Sequence, residues 1–487
     1  MADRELKTKV VSGVVWSLSE KIGTMLLQMV VSIIVARRLM PEDFGVMAIM
    51  TFFTSLALAM VDSGFSQTLI RKSSPTADDY RSVAVFNMFI AVVLYLLLTA
   101  LSPAIAAFYG HPVIAQIAPV LLLLLPVNAL CVVQTVIFTR EFRFALMSKV
   151  VFFSSLVSGI IAVGMALAGC GVWSLVAQRI AAMAVKAAMF RWLGRRPAGA
   201  RFSSSALRAM APYSLRLLAT DLITAVYNNI SQLIIGKVYS ATSLGYFSQA
   251  QKLKDLPVTS TVQSVQSVTF PALAKIGGDS GKFAESYRQI LSVTAFVVLP
   301  AMTGLIAIAP DMFALLLGDK WLPTVPYFEI ICIGGMLYPL SVVAYNVLKV
   351  RSDGRIILRL EIVKKIIMTL ILAYVFLVKR SMESVAWGLT IMSGVEFAIN
   401  VAVSLRYTTL RAGRIAATLL PTLLATGAMF AAVMAMRTYA AALTLGLRLM
   451  ICIATGVAVY PIAAAVMRSE ALREVLRIVK RMLARNQ

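Results

Sequence analysis

Long apolar runs separated by short polar breaks fill the chain from residue 11 to residue 467. Most runs contain about 20 to 27 residues, the length at which an α-helix crosses a bilayer. The pattern therefore predicts an all-α polytopic membrane protein with about fourteen transmembrane helices. The predicted spans are 11–36, 44–68, 82–108, 113–138, 145–168, 171–193, 210–236, 244–272, 287–309, 324–348, 357–378, 384–406, 414–436 and 446–467.

The first twelve predicted spans form an internal repeat. "QMVVSIIVARRLMPEDFGVM" at 28–47 is similar to "NNISQLIIGKVYSATSLGYF" at 228–247. Further along, "ADDYR" at 77–81 matches "AESYR" at 284–288. Because six helices return the chain to the side on which it began, both halves have the same orientation and form two parallel six-helix repeats. We expect two lobes around a central cavity, plus two extra helices.

The repeat sets the predicted domain limits, since each group of six helices forms one lobe. A basic segment rich in small residues joins the two lobes, as a cytoplasmic linker does. The predicted domains are an N-lobe at 1–196, a linker at 197–208, a C-lobe at 209–407, helices 13 and 14 at 408–467 and a basic tail at 468–487.

The tail at 468–487 has the pattern of an amphipathic helix. Its apolar residues recur at helical spacing, and Arg and Lys stand around them. The pattern predicts a helix that lies on the inner leaflet of the membrane, and the alternative is a solvated tail. The apolar positions are Leu472, Val475, Leu476, Val479 and Leu483.

Composition and charge support a membrane protein and give its orientation. The chain is 60% hydrophobic and 14% charged, with a mean hydropathy of +0.85. Its 46 Lys and Arg residues outnumber its 22 Asp and Glu residues. The basic residues concentrate in alternate loops, so they indicate topology and not nucleic-acid binding. The positive-inside rule places both termini in the cytoplasm.

Polar residues form stripes on four of the predicted spans. Steps of three and four residues place them on one face of each helix. A charge at the bilayer centre costs about 2.5–3.5 kcal/mol, so these stripes predict a water-filled cavity. The alternative is internal ion pairing that only orients helices, or snorkelling near helix ends. The clearest stripes are Ser17, Glu20, Lys21, Thr24, Gln28 and Ser32; Arg216, Thr220, Asp221, Thr224, Asn228 and Gln232; and Ser248, Lys252, Asp255, Thr259, Gln263 and Gln266.

Motifs for an enzyme are missing from the sequence. "GGDSGK" at 277–282 has the wrong spacing for a phosphate loop, and Phe283 stands where Ser or Thr is required. No loop is long enough to form a soluble catalytic domain. The single histidine, His111, and the dispersed cysteines do not form a metal site. We expect no catalytic residues, no metal and no cofactor.

Several segments resemble one branch of a known transporter superfamily. They are "SLGYFSQAQKLKDLP" at 243–257, "FPALAKI" at 270–276, "LLLGDKW" at 315–321 and "DSGFSQTLIRK" at 62–72. The chain resembles the polysaccharide-transporter branch of the multidrug/oligosaccharidyl-lipid/polysaccharide exporter superfamily, in particular Wzx-type and ExoT-like flippases.

The resemblance implies a fold, a substrate and a location. It implies fourteen helices in two lobes around a central cavity in a bacterial inner membrane. It implies that an undecaprenyl-diphosphate-linked oligosaccharide moves to the outer leaflet for exopolysaccharide, capsule or lipopolysaccharide O-antigen biosynthesis. Relatives that export the peptidoglycan precursor use several cavity arginines. This chain has the mixed pair Glu20–Lys21 instead, so their site is not transferred residue by residue.

The stripe residues divide into three predicted roles. The cations Lys21, Arg216 and Lys252 would hold the diphosphate. The amides Gln28, Asn228, Gln232 and Gln263 would bind the sugars. The acids Glu20, Asp62, Asp221 and Asp255 are candidates for ion coupling, because burial of a carboxylate favours proton exchange.

Rival functions remain open at this point. One is an ion-coupled drug antiporter of the same superfamily, which would favour a net-acidic cavity. Another is a membrane glycosyltransferase or polymerase, which the short loops disfavour. A third is a scaffold without transport. The expected partners are the lipid-linked oligosaccharide and membrane lipids, with other polysaccharide assembly proteins as further candidates and no nucleic acid.

Overall fold

The structure is a computed structural model that describes residue 20 and residues 23–194, 201–276, 279–379 and 381–485. Helix α1 covers 23–38. The helices that follow are α2 (Pro41–Asp62), α3 (Phe65–Arg71), α4 (Ala77–Tyr109), α5 (Val113–Leu121), α6 (Leu124–Arg140), α7 (Phe144–Leu167), α8 (Val172–Leu193), α9 (Ser204–Val238), α10 (Ala241–Ile276), α11 (Ser280–Leu316), α12 (Val325–Arg351), α13 (Gly354–Tyr374), α14 (Met382–Leu405), α15 (Ala412–Tyr439), α16 (Leu445–Val466) and α17 (Glu470–Arg485).

The lengths and apolar compositions of the helices confirm a multi-pass, all-α membrane protein. Among the described residues there is no β-strand, and ten helical segments are long and apolar enough to cross a membrane. The other four predicted spans correspond to α1, α9, α10 and α13, which are shorter in their described part or carry more charge. The number fourteen therefore stays a prediction.

Local sequence signals explain where several helices begin and end. At the start of α4, Thr76 and Asp79 form a capping box, with the Thr76 hydroxyl accepting a hydrogen bond from the Asp79 backbone. Ser203 and Asp279 cap α9 and α11 in the same manner. Gly110 ends α4 with a left-handed backbone, at φ 72°.

The second predicted span, 44–68, is broken into two helices. Ser63 and Gly64 separate α2 from α3 and have φ values of 51° and 70°. Both values lie in the left-handed region, which a glycine adopts at little cost and a serine adopts with strain. A Cβ at Gly64 would lie 2.5 Å from the Ser214 carbonyl oxygen of α9, so α9 approaches the break closely.

Cα packing divides the chain into two compact units, Met1–Gly245 and Tyr246–Gln487. In the first unit, α9 packs against α2, α3 and α4. A core cluster that includes Phe65, Leu69 and Val83 supports these helices. The predicted domain limits follow the sequence repeat, which assigns α9 to the second half, and they stay a prediction.

Two glycines at matching positions of the repeat make reciprocal close contacts in the first unit. A Cβ added to Gly45 of α2 would lie 1.7 Å from the carbonyl oxygen of Ala241, the first residue of α10. A Cβ added to Gly245 would lie 1.8 Å from the carbonyl oxygen of Pro41, the first residue of α2. A two-fold repeat produces such a mutual contact, which requires glycine at both positions.

The second unit places the predicted tail helix, α17, against α11. Glu470 at its start forms an ion pair with Arg288 of α11. Ala471 is buried in a cluster with Phe296 and Tyr460, and Leu472 and Val475 pack against the same cluster. The first part of the helix therefore rests on the protein itself, while the prediction that it lies on the inner leaflet stays a prediction.

Candidate substrate and ion-coupling residues

The face of α9 in the first unit shows a continuous exposed polar stripe. Arg216, Thr220, Thr224 and Asn228 are all exposed and follow one another at steps of four residues. The Thr220 and Thr224 hydroxyls donate hydrogen bonds of 3.0 and 2.8 Å to backbone carbonyls one turn earlier. Gln232 lies one turn further and is half-buried. Arg216 and Asn228, both predicted site residues, thus share one accessible helix face.

Asp62 stands at the break between α2 and α3, next to Ser63 and Gly64. It is half-buried, and its carboxylate accepts a hydrogen bond from the Ser66 hydroxyl. Asp221 lies on α9, which packs against both α2 and α3. Asp62 is thus one predicted coupling acid that stands beside a discontinuous helix.

A hydrogen bond fixes α9 against this break. The buried hydroxyls of Thr68 in α3 and Ser214 in α9 lie 2.7 Å apart. Broken membrane helices expose backbone groups that coordinate ions or substrate. Sequence reasoning missed the break because apolar length alone defined the span, although the Asp-Ser-Gly sequence at 62–64 is a turn signal.

The start of the first helix contributes fewer described side chains. The Thr24 hydroxyl donates to the Glu20 carboxylate over 3.3 Å. Gln28 is exposed one turn further along α1. Lys21, the third predicted cation, lies outside the described residues.

In the second unit, α10 shows the corresponding stripe. Lys252, Thr259, Gln263 and Gln266 are exposed along one helix. Asp255 is half-buried, and its carboxylate forms an ion pair with the Lys254 ammonium at a distance of 2.9 Å. Lys254 was absent from the predicted site, and the stripe pattern missed its ion pair with Asp255.

A second charged cluster in this unit lies outside the predicted site residues. The Lys364 side chain in α13 is only 6% exposed and forms a 2.5 Å ion pair with Glu361. Its ammonium lies 4.8 Å from the centre of the Tyr345 ring in α12, and the Lys349 ammonium lies 4.9 Å from the same ring. Glu361 and Lys364 are three residues apart, and residues at this spacing are neighbours on a helix surface.

Among the described residues, no group of three or more His, Cys, Asp and Glu side chains is placed to hold a metal ion. The stripes offer cations, amides and carboxylates instead, which bind charged and hydroxylated ligands.

Three curated proteins illustrate what the chain is similar to. An uncharacterised membrane protein in the cps region of Klebsiella pneumoniae is 23% identical over 80% of this chain and 81% of that protein. The succinoglycan biosynthesis transport protein ExoT of Rhizobium meliloti (strain 1021) is 24% identical, over 78% and 76% respectively. The lipopolysaccharide biosynthesis protein WzxC of Escherichia coli (strain K12) is 26% identical over 68% of each chain.

Two solved structures share the fold. The lipid II flippase MurJ in an inward closed conformation gives a TM-score of 0.72 at 17% identity, covering 95% of this chain and 100% of that chain. An inward-facing multidrug resistance transporter of the MATE family gives a TM-score of 0.61 at 17% identity, covering 79% and 94%. The two-lobe, all-α fold of these exporters is therefore the fold of this protein.

The family model described as "Polysaccharide biosynthesis protein" matches residues 34–326. This range contains α2 to α11 with both the α9 and the α10 stripe, and it is more than half of the chain. The chain belongs to this family of polysaccharide biosynthesis proteins.

Proposed function

We propose that this protein is a flippase that moves an undecaprenyl-diphosphate-linked oligosaccharide across the bacterial inner membrane by alternating access. It is a transporter and not an enzyme. Its relative ExoT is likewise named as a transport protein. The product serves exopolysaccharide, capsule or lipopolysaccharide O-antigen biosynthesis. Both termini lie in the cytoplasm. The observation that carries the proposal is the pair of exposed, cation-bearing polar stripes on α9 and α10.

The chemistry of the headgroup explains why such stripes are needed. A diphosphate joined to sugars cannot cross hydrocarbon unaided, because each buried polar or charged group costs several kcal/mol, on the order of 2–7 for a neutral one. Arg216 and Lys252, with Lys21, would hold the diphosphate through charge-assisted hydrogen bonds. Gln28, Asn228, Gln232 and Gln263 would bind the sugar hydroxyls. The lipid tail would stay in the bilayer.

Ion coupling is assigned to the acids beside the stripes. Asp62 lies at the α2–α3 break, and Asp221 lies on α9, which packs against both of these helices. Either carboxyl group would exchange a proton during transport. Glu20 and Asp255 are the other candidates. The mixture of Lys, Arg and acids distinguishes this surface from the net-acidic cavity that a drug/cation antiporter would require.

The test is a deletion of the gene in its own host, followed by analysis of lipid-linked intermediates. If the protein is a flippase, the deletion strain still assembles the intermediate but accumulates it on the cytoplasmic leaflet. Complementation with the wild-type gene then removes this accumulation. If the intermediate is never assembled, the protein is an enzyme of its synthesis. If the intermediate reaches the outer leaflet normally, the transport proposal is wrong.

A further inference from the structure

A cavity of about 750 Å³ lies in the first unit between α4, α6 and α8. Helix α6 packs against both α4 and α8 and forms the back of the cavity. The cavity opens near the start of α4 and the end of α8, the side that loop charges predict to be cytoplasmic. Its volume is typical of a small-molecule site. None of the residues predicted for transport lines it.

Two arginines give the cavity a positive charge. Arg81 of α4 and Arg191 in the last turn of α8 both line it, and both are exposed. No carboxylate is among the lining residues. In the part of the chain that the structure describes, neither guanidinium has an ion-pair or hydrogen-bond partner. The rest of the wall is largely apolar and includes Ala84 and Leu130.

A polar atom in the wall also lacks a partner. The Oε1 atom of Gln134 in α6 is buried, and no described residue donates a hydrogen bond to it. Gln134 lines the cavity together with the two arginines. A buried polar atom without a partner is costly, so a ligand or water that donates a hydrogen bond there is favoured.

The second repeat shows what an arginine at this position binds. Arg288 is the match of Arg81 in the repeated segments "ADDYR" and "AESYR". Its guanidinium lies 2.7 Å from the Glu285 carboxylate and also pairs with Glu470 at the start of α17. In the second unit, two carboxylates of the chain itself therefore neutralise the arginine at this position.

The first unit lacks this internal anion for a structural reason. Asp78, the match of Glu285, accepts a 2.7 Å hydrogen bond from the Arg201 backbone N–H. Asp79 pairs with Lys72 at 2.6 Å. Both acids near Arg81 therefore have other partners, and no counterpart of α17 occurs among the described residues of this unit.

The structure assigns this cavity, lined by Arg81, Arg191 and Gln134, as a binding site for the phosphate headgroup of an anionic glycerophospholipid. Basic pockets between membrane helices at the cytoplasmic surface bind such headgroups. The guanidinium groups bind phosphate oxygens, the Gln134 amide oxygen accepts from a headgroup hydroxyl, and the apolar wall contacts the upper acyl chains. The shared chemistry is a lipid phosphate, which a polyprenyl diphosphate also carries.

Native mass spectrometry of the purified full-length protein in detergent tests the assignment. The protein is titrated separately with phosphatidylglycerol, phosphatidylcholine and a polyprenyl diphosphate. We expect the double variant Arg81→Ala/Arg191→Ala to bind phosphatidylglycerol about tenfold more weakly, since hydrogen bonds to charged groups are lost. Ala188→Leu narrows the cavity while keeping both charges and should also weaken binding. Arg411→Ala, which removes one exposed surface charge elsewhere, should change it by less than about twofold.

Three outcomes would overturn the assignment. Unchanged phosphatidylglycerol binding in both cavity variants shows that the cavity takes no anionic lipid and leaves a protein segment as its occupant. Loss of polyprenyl diphosphate binding alone assigns the cavity to the transported lipid. Equal losses for phosphatidylglycerol and phosphatidylcholine show that the anionic charge is not recognised. Arg81→Lys/Arg191→Lys should retain part of the affinity, and this checks that the Ala variant has not merely misfolded.

Discussion

At the scale of single residues, Asp311 shows how this protein uses a buried charge for stability. Its side chain is 4% exposed and lies 3.1 Å from Nε of Arg437 in α15 and 2.5 Å from a terminal nitrogen of Arg448 in α16. One acid in α11 therefore holds both helices that lie outside the repeat. We expect Asp311→Asn to lower the free energy of unfolding by about 3 kcal/mol, because two guanidinium groups lose their counter-ion.

A denaturant titration in detergent micelles measures this change. The matched control is Asp319→Asn, which alters an exposed acid and should shift stability by no more than about 0.5 kcal/mol. Equal stability of the two variants would show that the Asp311 cluster does not hold α15 and α16.

Lys252 and Lys254 provide a paired test of the proposed diphosphate site. They carry the same charge two residues apart on α10. Lys254 forms an ion pair with Asp255 at 2.9 Å, and Lys252 is exposed on the stripe. We expect Lys252→Ala to reduce export at least about tenfold, the cost of one charge-assisted hydrogen bond to phosphate. Lys252→Arg should keep part of the activity, because Arg also binds phosphate.

Export is measured by outer-leaflet delivery of the lipid-linked intermediate in a deletion strain that carries each variant at equal expression. Lys254→Ala is the control and should retain most of the activity, since its ammonium neutralises Asp255. If Lys254→Ala abolishes export and Lys252→Ala does not, the assignment of diphosphate binding to Lys252 is wrong.

Residue-scale prediction from sequence worked where helix periodicity alone decides the outcome. The exposed face shared by Arg216, Thr220, Thr224 and Asn228 follows from steps of four residues. The partner of Asp255 did not follow from it, because adjacent residues on a helix do not face each other in the periodic picture. A long lysine side chain nevertheless reaches its neighbour, which depends on local packing that the sequence pattern does not encode.

At the scale of helices, the contact between α2 and α10 depends on two glycines. A Cβ atom added at Gly45 would lie 1.7 Å from the Ala241 carbonyl oxygen. We expect Gly45→Ala to separate the helix starts and to lower the free energy of unfolding by at least about 2 kcal/mol. The reciprocal variant Gly245→Ala should have a similar effect, because its Cβ would meet the Pro41 carbonyl oxygen at 1.8 Å.

Gly427→Ala in α15 is the control for this prediction, because nothing lies within 4 Å of an added Cβ there. The control should be neutral or stabilising by about 0.5–1 kcal/mol, since Ala has the higher helix propensity. Thermal unfolding of the three purified variants distinguishes the cases. A Gly45→Ala protein as stable as wild type would mean that α2 and α10 do not approach as described.

Helix boundaries were less predictable than helix existence. The span predicted at 44–68 contains the break at Ser63 and Gly64, and the span at 113–138 is split into α5 and α6. Apolar content stays high across both breaks, so hydropathy cannot detect them. The predicted spans 82–108 and 287–309 also began several residues after α4 and α11 do, although Thr76 and Asp279 are standard capping residues.

At the scale of the whole molecule, hydropathy and the repeat predicted the all-α membrane fold because bilayer crossing constrains composition so strongly. Cα packing divides the chain at Gly245, whereas the domain limits that follow the repeat stay a prediction. The grouping of α9 with the first unit depends on contacts such as the Thr68–Ser214 hydrogen bond. Such contacts are made in three dimensions and leave no periodic trace in the sequence.

Orientation in the membrane is the remaining whole-molecule prediction, and a native side chain can report on it. Cys170 is exposed in the short, uncharged turn before α8, whereas Cys131, Cys332 and Cys452 are buried. The positive-inside rule assigns this turn to the periplasm. We expect an impermeant thiol reagent to label the wild-type protein in intact spheroplasts, and Cys170→Ser to abolish the labelling.

The opposite side is probed in the Cys170→Ser background by Gly413→Cys. Gly413 is exposed in the first turn of α15, nothing lies within 4 Å of an added Cβ, and Arg411 and Arg414 stand on either side of it in the sequence. Its basic neighbours predict a cytoplasmic loop, so labelling should appear only after the membrane is opened. If Gly413→Cys is labelled from outside, and Cys170 of the wild-type protein is not labelled in intact spheroplasts, the predicted orientation is wrong and the opposite one holds. The lipid phosphate cavity at Arg81 would then face the periplasm as well.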